Sequence, residues 1–447
     1  MASAKRRICA AGLLWAIVSC LPRVAPAVPA FAGQTGQPCA ACHVGGFGPQ
    51  LTPFGRGFKL NGYTLSTHDG RNLPFAAMLV AGFTHTRRAQ SQPAADHFDR
   101  NDNLAVQEVS GFLATRLGDH AGVFAQVTYS GIEHQLAWDN TDLRFAKTFT
   151  AHGHGGVFGL SLNNNPTVQD VWNNTPAWKF PFVSSELAPG PIATPVLDGR
   201  LAQQVVGATG YLYLDDNFYA EAGAYRTLPR PWLRRLGTSL DASTPRAAPY
   251  WRAAWSHDWD AQSLSLGALG FAADLQPPGQ TGRSDHFRDL GLTANYQFLG
   301  DRHIFAFDGS LIRERQRLDA TFDGGGAEHP HDSLMALSLA ASYYYSNTYG
   351  VTLAAFSLHG SRDALLYAAA PDTGSANGSP DTRGSMVQFD WTPFGKDGSK
   401  WSPWANLRLG AQYTHYGTFN GARRNYDGFG RNARDNDTLF VFLWTAI

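Results

Sequence analysis

The sequence predicts an all-β fold, a 16-stranded antiparallel transmembrane β-barrel with a small module ahead of it, on three observations. The first is composition. Charged residues make up 16% of the 447, aromatics 13%, and 36 basic side chains balance 36 acidic ones. That charged share is about two thirds of the usual one, and a neutral balance argues against a nucleic-acid partner. The second is alternation of period two. Leu290, Leu292, Ala294, Tyr296 and Phe298 interleave with Asp289, Gly291, Thr293, Asn295 and Gln297, and Leu407, Leu409, Ala411 and Tyr413 interleave with Arg408, Gly410, Gln412 and Thr414. Such segments give a sheet one oily and one wet face over the roughly ten residues a transmembrane strand needs. The third is the C-terminus, where Leu439, Val441, Leu443, Thr445 and Ile447 form one stripe of a last strand. Behind the first thirty residues no apolar run approaches the ~20 residues of a membrane helix.

In chain order, strands are expected to begin near Pro74, Asn103, Ala121, Leu136, Gly155, Gln203, Asn217, Pro249, Gln262, His286, Asp301, Asp332, Thr348, Thr382, Trp404 and Asp437. Brief turns, such as Gly118-Asp119-His120, Leu214-Asp215-Asp216 and Gly300-Asp301-Arg302, alternate with long excursions at 163–202, 227–248 and 315–331. Short turns on one side and long loops on the other are the habit of outer-membrane barrels. An even strand count then leaves both chain ends in the periplasm. A soluble β-sandwich is the competing reading, and it would want shorter strands without this alternation.

The first residues predict export. Lys5, Arg6 and Arg7 precede an apolar stretch from Ile8 to Leu21, and Ala30-Phe31-Ala32 is a small-residue cleavage site. The chain therefore divides into a signal peptide over 1–32, a module over 33–72 and the barrel over 73–447. A lipobox reading of Ile17-Val18-Ser19-Cys20 would instead retain Cys20 as a lipid anchor. With the signal removed, Cys39 and Cys42 remain, which excludes a disulfide framework.

Those two sit in Cys39-Ala40-Ala41-Cys42-His43, the spacing of c-type haem attachment. Two thiols add to the porphyrin vinyls, and the adjacent histidine becomes the proximal iron ligand. A redox dithiol would not need the histidine, and a zinc site would need a second cysteine pair. One covalent haem c is the expected cofactor. Behind the motif, Thr52 can cap a helix with Pro53 at its first position, with Leu51, Phe54 and Phe58 on one face and Gly62 placed to end it. So short a module cannot enclose a haem alone, and part of its apolar edge must lean on the barrel.

The head CAACHVGGFGPQLTPFGRGFKLNGY, the loop NNNPTVQDVWNNTPAWKFP from Asn163 to Pro181, and the closing DNDTLFVFLWTAI together resemble the fused cytochrome-porin family, in which one haem c is joined to an outer-membrane barrel. The resemblance runs over the whole mature chain. It implies oxidation of extracellular Fe(II), with electrons passed to a periplasmic cytochrome c-like carrier.

The distal iron ligand is expected from the first strand. There Phe75, Ala77, Leu79, Ala81 and Phe83 make the lipid stripe, which turns Met78 to the lumen. Met78 is the candidate, with a plain apolar role as its alternative and His68 as the other ligand. Glu328, His329, His331 and Asp332 crowd an outer loop in a pattern able to dock iron, although solvated loop polarity explains them too. His152 and His154 flank a glycine in a short turn and carry the same bland reading. Trp172 and Trp178 are expected to fold their loop into or over the pore. Three function classes stay open: electron transfer from Fe(II) or another extracellular reductant, a diffusion porin with the haem as plug, and a haem-bearing sensor or adhesin.

Overall fold

A computed structural model describes residues 30–67, 74–240, 242–278, 282–396, 398–399, 401 and 405–447. The signal segment through residue 29, the lipobox cysteine and His68 lie outside the described residues.

Among the described residues, sixteen strands form one closed barrel, each paired antiparallel with its neighbours in sequence and the last with the first. They are β1 Phe75–Thr86, β2 Asn103–Arg116, β3 Ala121–Ser130, β4 Gln135–Ala151, β5 His154–Asn163, β6 Val205–Leu214, β7 Phe218–Thr227 and β8 Ala248–Trp259. The circle continues through β9 Gln262–Leu275, β10 Asp285–Leu299, β11 His303–Arg317, β12 His331–Tyr345, β13 Tyr349–Gly360, β14 Thr382–Trp391, β15 Asn406–Thr418 and β16 Thr438–Ala446. Each begins within two residues of its expected position. Closure is made on β1, where Phe83 lies between Leu104 of β2 and Val441 of β16.

The alternation sorts as period two requires. On β10, Leu290 and Leu292 are exposed while Asp289, Asn295 and Gln297 are buried. On β1, Phe75 and Phe83 face outward while Val80, Gly82 and Thr84 are buried. A barrel with an apolar exterior, a polar interior and no open sheet edge is the form that a chain of strands takes across a membrane. Large charged side chains reach into the interior: Arg144, Arg252 and Arg408 are among the most deeply buried large side chains.

Two connections depart from strict alternation of short and long. The β3–β4 connection, at the end remote from the chain termini, is only 131–134, and the β14–β15 connection at the terminal end runs from 392 to 405. The second has a use, since the Gly395 carbonyl accepts the Ala40 amide and so clasps the N-terminal segment. The long β5–β6 loop turns into the barrel, burying Val168, Asp170 and Trp172. Trp172 meets Tyr219 edge-on at 5.1 Å, and the Trp178 indole donates to the Val168 carbonyl at 2.9 Å, so both tryptophans fold this loop within the pore.

The N-terminal segment also lies inside. It comprises α1 Ala30–Thr35, α2 Cys39–Cys42, a 3₁₀ turn at Val44–Gly46, and α3 Pro53–Leu60. Thr52 caps α3, accepting the Gly55 amide at 3.2 Å, with Pro53 in the first turn. After the helix, Gly62 takes φ of 74°, a left-handed conformation open to glycine. The expected apolar face divides: Phe58 packs on Phe31 and Tyr63, whereas Phe54 stays exposed.

Candidate functional site

The site is the segment from Ala30 onward, seated across the lumen at the end where β1 begins and β16 ends. Its contacts run around the wall. On one side Arg408 of β15 donates to the Phe47 carbonyl at 2.7 Å, and Asn406 donates to the Gly46 carbonyl at 2.7 Å. Phe47 meets Trp444 of β16 at 4.7 Å. Midway, Gln50 bonds Asp308 of β11, and Arg56 donates to Ser263 of β9 at 2.5 Å. On the far side Tyr211 of β6 donates to the Leu60 carbonyl at 2.5 Å, and Tyr63 donates to Asp142 of β4 at 2.7 Å. Gln34 closes the circuit by accepting the Arg116 amide of β2 at 2.8 Å. A segment tied at these points is a plug.

Within it, the attachment motif is folded tightly. The His43 amide bonds the Cys39 carbonyl at 2.8 Å, and Thr52 reaches back to Cys42 through its own amide at 3.0 Å. A Cβ added at Gly55 would lie 2.3 Å from the Cys42 carbonyl oxygen, so only glycine lets α3 cross α2 this closely. Cys39 is buried and Cys42 half-buried. Burial raises the Cys39 thiol pKa, and burial together with the neighbouring Cys39 pushes Cys42 up to about 12.

His43 lines a cavity of about 350 Å³ bounded by Ala40, Ala41 and Phe54 of the plug and by Leu299, Ile304 and Asn347 of the wall. Its Nδ1 is buried without a hydrogen-bond partner. Burial, then the nearby Arg408, lowers its pKa to about 4. The imidazole is thus neutral near pH 7, the form in which it ligates a metal. Two thiols able to bond the porphyrin vinyls and a neutral imidazole able to ligate iron, on one short stretch beside a cavity, fit the residues that hold a haem c.

The structure brings Cys39, Cys42 and His43 together but not the other candidates. Met78 faces the lumen as its parity requires, yet it packs against the cluster of Phe47, Val80, Phe442 and Trp444 and does not line the cavity beside His43. The outer cluster is pulled apart by other partners. Glu328 accepts the Ala364 amide at 2.8 Å, Asp332 is buried while His331 is exposed, and His329 lies 3.9 Å from Asp363. Among the described residues, no group of three or more His, Cys, Asp or Glu is placed to hold a metal ion. His154 bonds Asp215 across neighbouring turns at 2.8 Å.

Sequence reasoning missed the charged pairs that hold plug and loop. Arg144 bonds Asp142 at 2.8 Å and donates to the Lys59 carbonyl at 3.2 Å, while Arg252 lies 3.4 Å from Asp170 of the inward loop. Asp170 also accepts from the Asn174 amide and the Thr175 hydroxyl, both at 2.9 Å. The available signal was an arginine at an inward-facing strand position, a site that needs a partner.

Neither a protein-family model nor a curated protein sequence matches the chain. Among solved structures, the barrel is similar to OmpT, an outer membrane protein of Vibrio cholerae, at 11% identity over 85% of this chain and 98% of that one, with a TM-score of 0.44. It is also similar to an anion-selective porin from Comamonas acidovorans, at 11% identity over 83% and 98% of the two chains, TM-score 0.46. The outer membrane channel DcaP of Acinetobacter baumannii gives 12% identity over 83% and 96%, TM-score 0.44. Likeness at this level carries neither ligand nor activity from those proteins to this one. Fold and site together define a closed sixteen-stranded β-barrel with an apolar exterior, its lumen occupied by its own N-terminal segment and an inward loop.

Proposed function

We propose that this chain is an outer-membrane barrel plugged at its periplasmic end by a haem c module. The observation that carries the reading is His43, a buried neutral imidazole with an unpartnered Nδ1, next to two cysteines at attachment spacing and beside a cavity. Cys39 and Cys42 would hold the group covalently and His43 would be its proximal ligand. When bound, the group supplies one-electron redox chemistry. Of the two residues expected at the sixth position, Met78 packs with Phe47 and Trp444 away from the His43 cavity, and His68 lies outside the described residues. The plug's bonds to β4, β6, β9, β11 and β15 fix the module and keep water from its buried face.

Two roles are open to such a molecule. Restricted diffusion is the one the barrel supports by itself, because it needs only a lumen with room on its outer side and a plug that limits what passes. The second is transfer of electrons from extracellular Fe(II) or another reductant, through the module, to a periplasmic cytochrome c-like carrier. His43 and the two cysteines serve both roles, as the anchor of a haem plug and as the proximal site of a relay, and the closed barrel with its lumen supports the first. Holoprotein in liposomes separates them. Efflux of small solutes with no haem reduction by external Fe(II) is expected for diffusion. Sealed liposomes with rapid haem reduction would replace it with electron transfer.

A further inference from the structure

Between the inward loop and strands β11 to β16 the lumen holds a second cavity of about 410 Å³. That is within the range of small-molecule sites. Phe440 lies at its edge, and the Phe442, Trp444 and Phe47 cluster packs along the same strand nearer the terminal end, so the cavity belongs to the outer half of the barrel. Its room is made on the wall by small inward-facing residues, Ala336 and Ser338 of β12 and Ala354 of β13.

The chemistry of its lining is narrow. Its charged residues, Lys179 and Asp198, bond each other. An ammonium or carboxylate entering would lose its water and find no free counter-charge. The hydroxyls of Ser310 and Ser338 stand opposite one another in register on β11 and β12, and Thr414 adds a third from β15. None of the three makes a side-chain hydrogen bond to another described residue. A pure hydrocarbon would leave these hydroxyls dry; Ser184 of the loop and Thr382, Gln412 and Thr438 of the wall also line the cavity, and a sugar is the competing ligand that the displacement test below distinguishes. Around them lie aromatic faces, Phe180 of the loop, Phe356 of β13 and Phe440 of β16.

We propose that this cavity binds an uncharged monocyclic aromatic alcohol, a phenol or a catechol, with its ring against the phenylalanine faces and its hydroxyl on the Ser310 and Ser338 pair. The proposal rests on the plugged-channel reading for the direction in which such a molecule would travel, while binding itself needs no transport. The test uses the full mature chain in nanodiscs, followed by fluorine NMR of para-fluorophenol. Saturable binding is expected, displaced by phenol and catechol, and weakened at least about tenfold by Ala354→Trp, which fills the cavity. Ser310→Ala with Ser338→Ala, a change too small to disturb the barrel, is expected to weaken para-fluorophenol several-fold and leave fluorobenzene unchanged. Para-fluorophenol affinity equal in all variants would overturn the site. Displacement by glucose or para-fluorobenzoate as effective as by phenol would overturn the ligand class. Liposome efflux, measured separately, bears on the channel and not on this site.

Discussion

The Lys59 ammonium of α3 donates to the Asn173 side-chain oxygen at 2.8 Å and to the Val168 carbonyl at 2.7 Å, so one buried cation joins the plug to the inward loop. Burial, with Arg144 next to it, lowers the pKa of Lys59 to about 7 from an ordinary 10.5. When the plug is released into water, the lysine regains its ordinary value. Between those two pH values the released state therefore binds more protons than the docked one. Docking should strengthen as pH rises from about 7 toward 10.5 and should not vary from this source below about pH 7. Protease sensitivity of the module across that range measures it. Lys59→Met should flatten the slope, and a variant with the wild-type slope would place its cause elsewhere.

Replacing both Cys39 and Cys42 by alanine should abolish covalent haem while leaving the barrel able to form, because neither thiol belongs to a strand. Haem stain and heat-modifiable gel mobility report the two halves of this expectation. A haem band surviving in the double variant would remove the haem c assignment.

Met78→Ala tests the sixth position. Its side chain packs against the cluster of Phe47 and Trp444, so the substitution should cost about 1 to 2 kcal/mol through lost packing and leave the haem spectrum unchanged. Loss of the weak near-infrared band between sulfur and ferric iron would instead put Met78 on the metal.

Topology is open to labelling. Asp119 lies in a short turn at the terminal end, and Asp323 is exposed on the loop between β11 and β12 at the other. With an impermeant maleimide on intact cells, Asp323→Cys should react and Asp119→Cys should react only after the outer membrane is opened. The reverse pattern would mean an inverted barrel and a module on the cell surface.

The strands were legible because one face of each must meet hydrocarbon, and period two is written directly into residues such as Leu290 and Leu292. The start of α3 was legible for a similar local reason, in Thr52 and Pro53. Lys59 and Arg144 were not, since their partners are set by how the chain crosses the lumen: Lys59 finds Asn173 from 114 positions away, and Tyr63 finds Asp142 from 79. The outer cluster failed for the complementary reason. Neighbouring positions looked like a ligand set, but alternation on β12 sends Asp332 inward and His331 outward. Parity gave the direction of Met78, and could not give the part of the lumen the module would occupy.

On the haem c reading proposed above, the burial of Cys39 and the half-burial of Cys42 set an order of events. In the finished barrel the Cys39 thiol is covered by wall and plug, and Cys42 is held as a poorly ionised thiol, a weak nucleophile. Haem joined to these sulfurs has to be joined while the head of the chain is still free in the periplasm. On that reading, barrels assembled before haem arrives would hold Cys39 buried and Cys42 half-buried and poorly ionised, and would take up the group slowly.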